Sequence, residues 1–117
     1  SPPDHRGSEA QESLVSMRRV IWSADARRDY LDILRYIAAD NPLAAERVAD
    51  AIEQAGNGLG EFATGRPGRV TGSYEKSVPR LPYIIAYEIT SQAEREVIAV
   101  LRVIHTSRDW RAQERPD

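Results

Sequence analysis

The chain has no cysteine, a single methionine and a single phenylalanine among its 117 residues. Without cysteine there can be no disulfide and no thiolate metal ligand. This fits a cytoplasmic protein, and the cytoplasm is the expected location. No apolar run approaches the roughly 20 residues that a membrane-spanning helix requires, so no membrane partner is expected. Charge of one sign is also lacking: the formal net charge is −2, which gives no global pull toward nucleic acid or an anionic bilayer. Lysine is nearly absent, and Lys76 is the one exception among 16 basic residues. Arginine holds its charge and grips carboxylate or phosphate in a planar fork, which suits interfaces. A GC-rich coding sequence gives the same bias.

The length suffices for one domain with its own core, and not for two of ordinary size. Residues 1–16, "SPPDHRGSEAQESLVS", are polar, without periodicity and without a signal-peptide core. They read as a disordered leader or an added upstream extension. Met17 is the expected natural start, and residues 17–117 the single domain.

"RRVIWS" (18–23) has the β-branched and aromatic content of a short strand. Ser23 can cap a helix, with Asp25 favourable in its first turn. Ala26, Tyr30, Ile33, Leu34 and Ile37 recur at helical spacing, so a helix is expected over 24–39. "DNP" (40–42) breaks it, and Pro42 suits the first turn of a second helix. Ala45, Val48, Ile52, Leu59 and Phe62 supply the second stripe. The short gap makes the two helices an antiparallel hairpin. Gly56, Gly58 and Gly60 should weaken the end of the second helix. After the turn-rich loop "TGRPGR" (64–69) come three expected strands, at about 70–78, 82–90 and 96–105, the last two nearly continuous apolar runs. The order is β-α-α-β-β-β, an α+β fold in which a helical hairpin packs on a twisted, mostly antiparallel sheet.

Three stretches, in this order and spacing, carry a family resemblance: "SADARRDYLDILRYIAADNP" (23–42), "GRPGRVTGSYEKSVPRLPYIIAY" (65–87) and "VLRVIHTSRDW" (100–110). From about Arg19 to Trp110 the chain resembles the RelE/ParE superfamily of toxins from bacterial type II toxin–antitoxin pairs. The resemblance implies this same fold. It also implies an antitoxin partner whose C-terminal segment wraps and masks the toxin. RelE-like members cleave mRNA at the ribosome. ParE-like members bind DNA gyrase, trap it on broken DNA and do not cleave RNA.

Metal-free RNA cleavage needs a base, an acid and cations on the phosphate. In the nuclease branch a Tyr-Arg-x-x-Tyr motif commonly supplies one such cation. The matching residues here are Tyr83-Ile84-Ile85-Ala86-Tyr87. Ile84 stands where that arginine would be and can neither donate a hydrogen bond nor neutralise charge. No tyrosine follows Tyr87, so a tail tyrosine is missing as well.

No catalytic residue is favoured, therefore. His105, Arg69 and Arg80 are the candidates if the chain is a nuclease, although His105 reads first as a structural residue at a strand end. Arg102, His105, Arg108, Trp110 and Arg69 are expected to face the target. Arg66, Arg69, Lys76 and Arg80, offset by Glu75, make a local positive patch suited to an acidic antitoxin segment. Tyr83 and Tyr87 share strand parity and so one face, either core or antitoxin groove. Trp110 either folds back on the sheet or anchors a partner. Arg27, Arg28, Arg35 and Arg47 read as a solvated helix face.

The expected function is that of a ParE-like toxin. It would inhibit DNA gyrase by binding, be neutralised by an antitoxin with a DNA-binding N-terminal half, and meet DNA only through that antitoxin. No cofactor or metal is expected. The alternatives are a RelE-like ribosome-dependent mRNA endonuclease, and an inactive toxin kept as antitoxin partner or co-repressor.

Overall fold

A computed structural model describes residues 17–106. Strand β1 (Arg19–Trp22) leads into helix α1 (Ala24–Ala38) and helix α2 (Pro42–Asn57), and a 3₁₀ turn follows at Gly58–Gly60. Strands β2 (Arg66–Pro67), β3 (Ser73–Ser77), β4 (Tyr83–Gln92) and β5 (Arg95–His105) complete one sheet in the order β1-β5-β4-β3-β2. β1 runs parallel to β5, and every other pairing is antiparallel.

The helices begin where the side chains dictate. The Ser23 hydroxyl accepts the Ala26 amide at 3.0 Å and donates to the Leu101 carbonyl at 2.9 Å, so one residue caps α1 and ties it to β5. Asn41 caps α2 through the Ala44 amide at 3.1 Å, with Pro42 following in the first turn.

The hairpin lays Ala26, Val48 and Ile52 on one sheet face, against Tyr83, Ile85, Tyr87, Ile98, Val100 and Val103. Full burial of a side chain such as Ile52 or Ile98 contributes about 1.5–3 kcal/mol. Val100 and Val103 are three residues apart, and strict alternation would put them on opposite faces. A bulge resolves this: Ala86 pairs with Arg102 and Tyr87 with Val100, which leaves Leu101 as the extra residue.

Three sequence expectations are revised. The strand expected at 70–78 is the shorter β3 (Ser73–Ser77), and the loop expected at 64–69 contributes β2, with Gly68 and Gly72 turning the chain between the two. Gly72 has φ +91°, and a Cβ at Gly68 would lie 2.5 Å from Ser73 Oγ. Phe62 is not on the α2 stripe: the helix stops at Asn57 and Phe62 is 69% exposed. Gly56 has a packing role besides its cost in helix propensity. It is buried, and a Cβ there would meet the Trp22 ring at 2.4 Å, so this glycine is where strand and helix touch.

Candidate functional site

β4 and β5 pair from Tyr83↔His105 to Gln92↔Arg95, which fixes two ends of the sheet. At one end lie His105, Tyr83 and the β3–β4 turn. His105 and Tyr83 meet edge to face at 5.3 Å. The Thr106 amide donates to the Pro82 carbonyl at 2.9 Å, fastening the turn to the end of β5. The turn itself is closed by Leu81 N–H to the Val78 carbonyl at 3.2 Å, with Pro79 and Arg80 at its centre. Arg80 has φ +67° there, a left-handed conformation that favours glycine.

The basic residues of 66–80 do not form one surface. Arg69 sits in the β2–β3 turn and Arg80 in the β3–β4 turn, at opposite ends of β3. Four strand steps separate Ser73 from Ser77, or roughly 14 Å before the turns are added. Arg66 and Lys76 are on opposite faces. Arg66 Nε lies 3.7 Å from the carboxylate of Glu75, whose side chain is only 9% exposed. Lys76 Nζ donates to Thr64 Oγ1 at 2.9 Å on the helix-covered side.

Tyr83 and Tyr87 are core residues, 8% and 1% exposed. Of the two readings open from sequence parity, core is the one the fold adopts. The Tyr87 hydroxyl donates to the Thr64 carbonyl at 2.7 Å, and its ring stacks on Tyr74 at 5.5 Å. Burial foremost, with the neighbouring Tyr74, pushes the Tyr87 hydroxyl above the ordinary tyrosine range.

Arg102 is held from the side. Its Nε and Nη2 donate to the two oxygens of Asp29, at 2.7 and 3.1 Å, and the same carboxylate accepts the Val103 amide at 2.9 Å. β1 stops opposite Val100, so past that point the edge of β5 lacks a strand neighbour. Asp29 of α1 takes over as acceptor there. Asp29 is not among the apolar residues of the α1 stripe. The signal was its spacing, three residues after Ala26 and four before Ile33, which puts it at the border of the buried face. Arg108 and Trp110 lie outside the described residues.

Ile84 lies on the sheet face away from the helices, opposite Ile104; they are 8% and 3% exposed. Among the described residues no three His, Asp or Glu side chains come together as metal ligands. None of their helices is long and apolar enough to cross a membrane.

A second feature, absent from the sequence reading, is a cleft of ≈ 320 Å³ lined by Trp22, Arg27, Tyr30, Glu53 and Asn57. Trp22 Nε1 donates to Asn57 Oδ1 at 3.0 Å, and the Trp22 and Tyr30 rings meet edge to face at 6.1 Å. The Tyr30 hydroxyl donates to the Glu53 carboxylate. Burial first, and then that hydrogen bond and the Glu53 charge, push Tyr30 up to about 12. These contacts make the cleft a lock between β1 and the two helices. Arg27, Arg28, Arg35 and Arg47 are exposed on the hairpin's outer face, as a solvated face requires.

Known proteins resemble this chain in sequence and in fold. The chain is 37% identical over 97 residues to "Putative toxin Y4kP" of Sinorhizobium fredii, covering 82% of this chain and 96% of that protein. It is 29% identical over 92 residues to "Toxin RelE2" of Caulobacter vibrioides, covering 79% and 99%. Among solved structures, a chain of the chromosomal ParDE TA system from P. aeruginosa superposes with a TM-score of 0.67 at 22% identity, over 75% of this chain and 95% of that one; this likeness concerns the fold. Residues 20–110 match the family described as the ParE toxin of type II toxin–antitoxin system, parDE. With that span matched, the chain belongs to the ParE toxin family, within the RelE/ParE superfamily of type II toxin–antitoxin toxins.

Proposed function

We propose that this toxin acts by binding DNA gyrase, without chemistry of its own, and is silenced by its cognate antitoxin. The observation carrying this reading is Ile84. The position where a nuclease of the superfamily would hold a phosphate-gripping arginine carries a buried aliphatic side chain packed opposite another, Ile104. Losing such a cation costs on the order of 100-fold or more in rate. The surroundings support the same reading. Arg102 is bound to Asp29 and Lys76 to Thr64, while Arg69 stands at the far end of β3 from His105. Arg66 and Arg69, on the β2–β3 hairpin, are the cations we assign to the antitoxin. That partner carries an acidic C-terminal segment and a DNA-binding N-terminal half.

Purified toxin, incubated with gyrase and plasmid, should suppress supercoiling and accumulate cleaved-DNA complex. Undisturbed supercoiling with folded toxin would remove the gyrase assignment.

The second reading is ribosome-dependent mRNA cleavage. It is favoured by one arrangement: His105, beside Tyr83, shares its end of the sheet with Arg80. It requires cut message in a translation reaction, and that cleavage must vanish in His105→Ala.

A further inference from the structure

Arg80 is the one arginine of the described residues with positive φ, at +67°. An L-residue in that conformation costs about 1–2 kcal/mol that glycine would not. The turn around it is over-determined. Pro79 presets the preceding residue, the Val78 carbonyl accepts Leu81 N–H at 3.2 Å, and Val78 N–H donates to the Tyr83 carbonyl at 3.0 Å. The side chain is exposed. No hydrogen bond or ion pair ties its guanidinium to the described residues; Arg18, Arg28, Arg35, Arg66 and Arg102 have carboxylate partners, while Arg80 shares its lack of one with the exposed Arg19, Arg27, Arg47 and Arg95 and differs from them in its backbone. Glycine would close this turn without the strain, and what singles out this strained position is the exposed cation it carries beside His105 and Tyr83.

We propose that Arg80 is a target-recognition residue rather than an antitoxin contact, and that its guanidinium pairs with a carboxylate on a protein target. This deepens the binding-protein reading above and rests on it. The choice of carboxylate follows from the surroundings. Binding a phosphate backbone takes an array of cations along the strand. Near this end of the sheet, Arg102 is engaged by Asp29 and Lys76 by Thr64. A single planar fork suits bidentate pairing with one carboxylate at a protein interface.

A second strained turn in the same molecule supplies the control. Ala93 and Glu94, joining β4 to β5, have φ +50° and +67°. They follow Gln92, which is nine strand steps from Tyr83, or roughly 30 Å away. Glu94→Gly and Arg80→Gly relieve the same kind of strain at opposite ends of the sheet.

The test expresses wild type, Arg80→Gly, Arg80→Lys and Glu94→Gly without antitoxin and scores growth arrest, a readout that does not depend on which target is hit. Melting temperature and co-purification with the antitoxin are measured in parallel. Arg80→Gly should melt no lower than the parent, keep its antitoxin, and need at least tenfold more induction to arrest growth. Arg80→Lys, which keeps the charge but loses the fork, should fall between. Glu94→Gly should stay fully toxic. Full toxicity of Arg80→Gly, or loss of antitoxin with toxicity retained, overturns the proposal. So does Arg80-dependent binding of the free toxin to single-stranded RNA or duplex DNA, which would make phosphate the partner. If gyrase is untouched in vitro while Arg80→Gly still loses growth arrest, the gyrase reading fails, and a translation reaction decides this one: intact message leaves it standing with another protein target, whereas Arg80-dependent cleavage of message overturns it.

Discussion

Removing the Asp29 carboxylate tests how α1 completes the open edge of β5. The carboxylate accepts three hydrogen bonds, two from Arg102 and one from the Val103 amide. In Asp29→Ala the two donors fare differently. The Arg102 side chain is 37% exposed and water can take it up, so losing that pair costs about 1 kcal/mol. Val103 is 2% exposed, and a buried amide left without an acceptor costs about 1–3 kcal/mol. The sum is about 2–4 kcal/mol, or a fall in Tm of roughly 10–25 °C for a domain of this size. Asp29→Asn keeps an acceptor for the amide and loses the ion pair, so it should cost about 1 kcal/mol. Urea titrations of the three proteins measure the differences, and hydrogen exchange should show the Val103 amide deprotected in Asp29→Ala alone. An Asp29→Ala protein within about 0.5 kcal/mol of the parent, the ordinary range for a surface change, would refute the claim that α1 completes the edge of β5.

Gly56→Ala should destabilise by about 1–2 kcal/mol, because overpacking against Trp22 outweighs the gain in helix propensity; near-UV circular dichroism should report the displaced indole. Replacing Ala93-Glu94 by Asn-Gly should stabilise by about 1 kcal/mol, since both positions have φ above zero and that pair suits such a turn; thermal melts check it. The pH dependence of stability has a defined sign. Tyr30 in the fold holds its proton up to about 12 against an ordinary value of 10.0, so its contribution is complete below pH 10 and is lost as pH rises toward 12. Tyr30→Phe should flatten that loss in melts across this window without abolishing it, because Tyr87 is shifted in the same direction.

Much of this molecule is local physics and was readable as such. Ser23 and Asn41 cap helices because their side chains sit where orphan amides need acceptors. The stripe Ala26–Tyr30–Ile33–Ile37 buries one face of α1 by spacing alone, and the runs in β4 and β5 are apolar because the hairpin covers one face while Ile84 and Ile104 are buried on the other. The family, too, was legible in three stretches of sequence. What could not be read was whatever depends on register between distant segments. The one-residue bulge at Leu101 puts Val100 and Val103 on one face, and no periodicity announces it. The charges of 66–80 are neighbours in sequence, but a strand reverses their surroundings every residue and separates its two ends, so the fold scatters them. Asp29 and Arg102 are 73 positions apart, and only the packing of α1 along the unfinished edge of β5 makes them partners. Local sequence thus determined the elements and the superfamily. Tertiary structure decided which charges are engaged and that Arg80 stands outward on a strained turn, because pairing at a distance is set by strand order and register rather than by proximity along the chain.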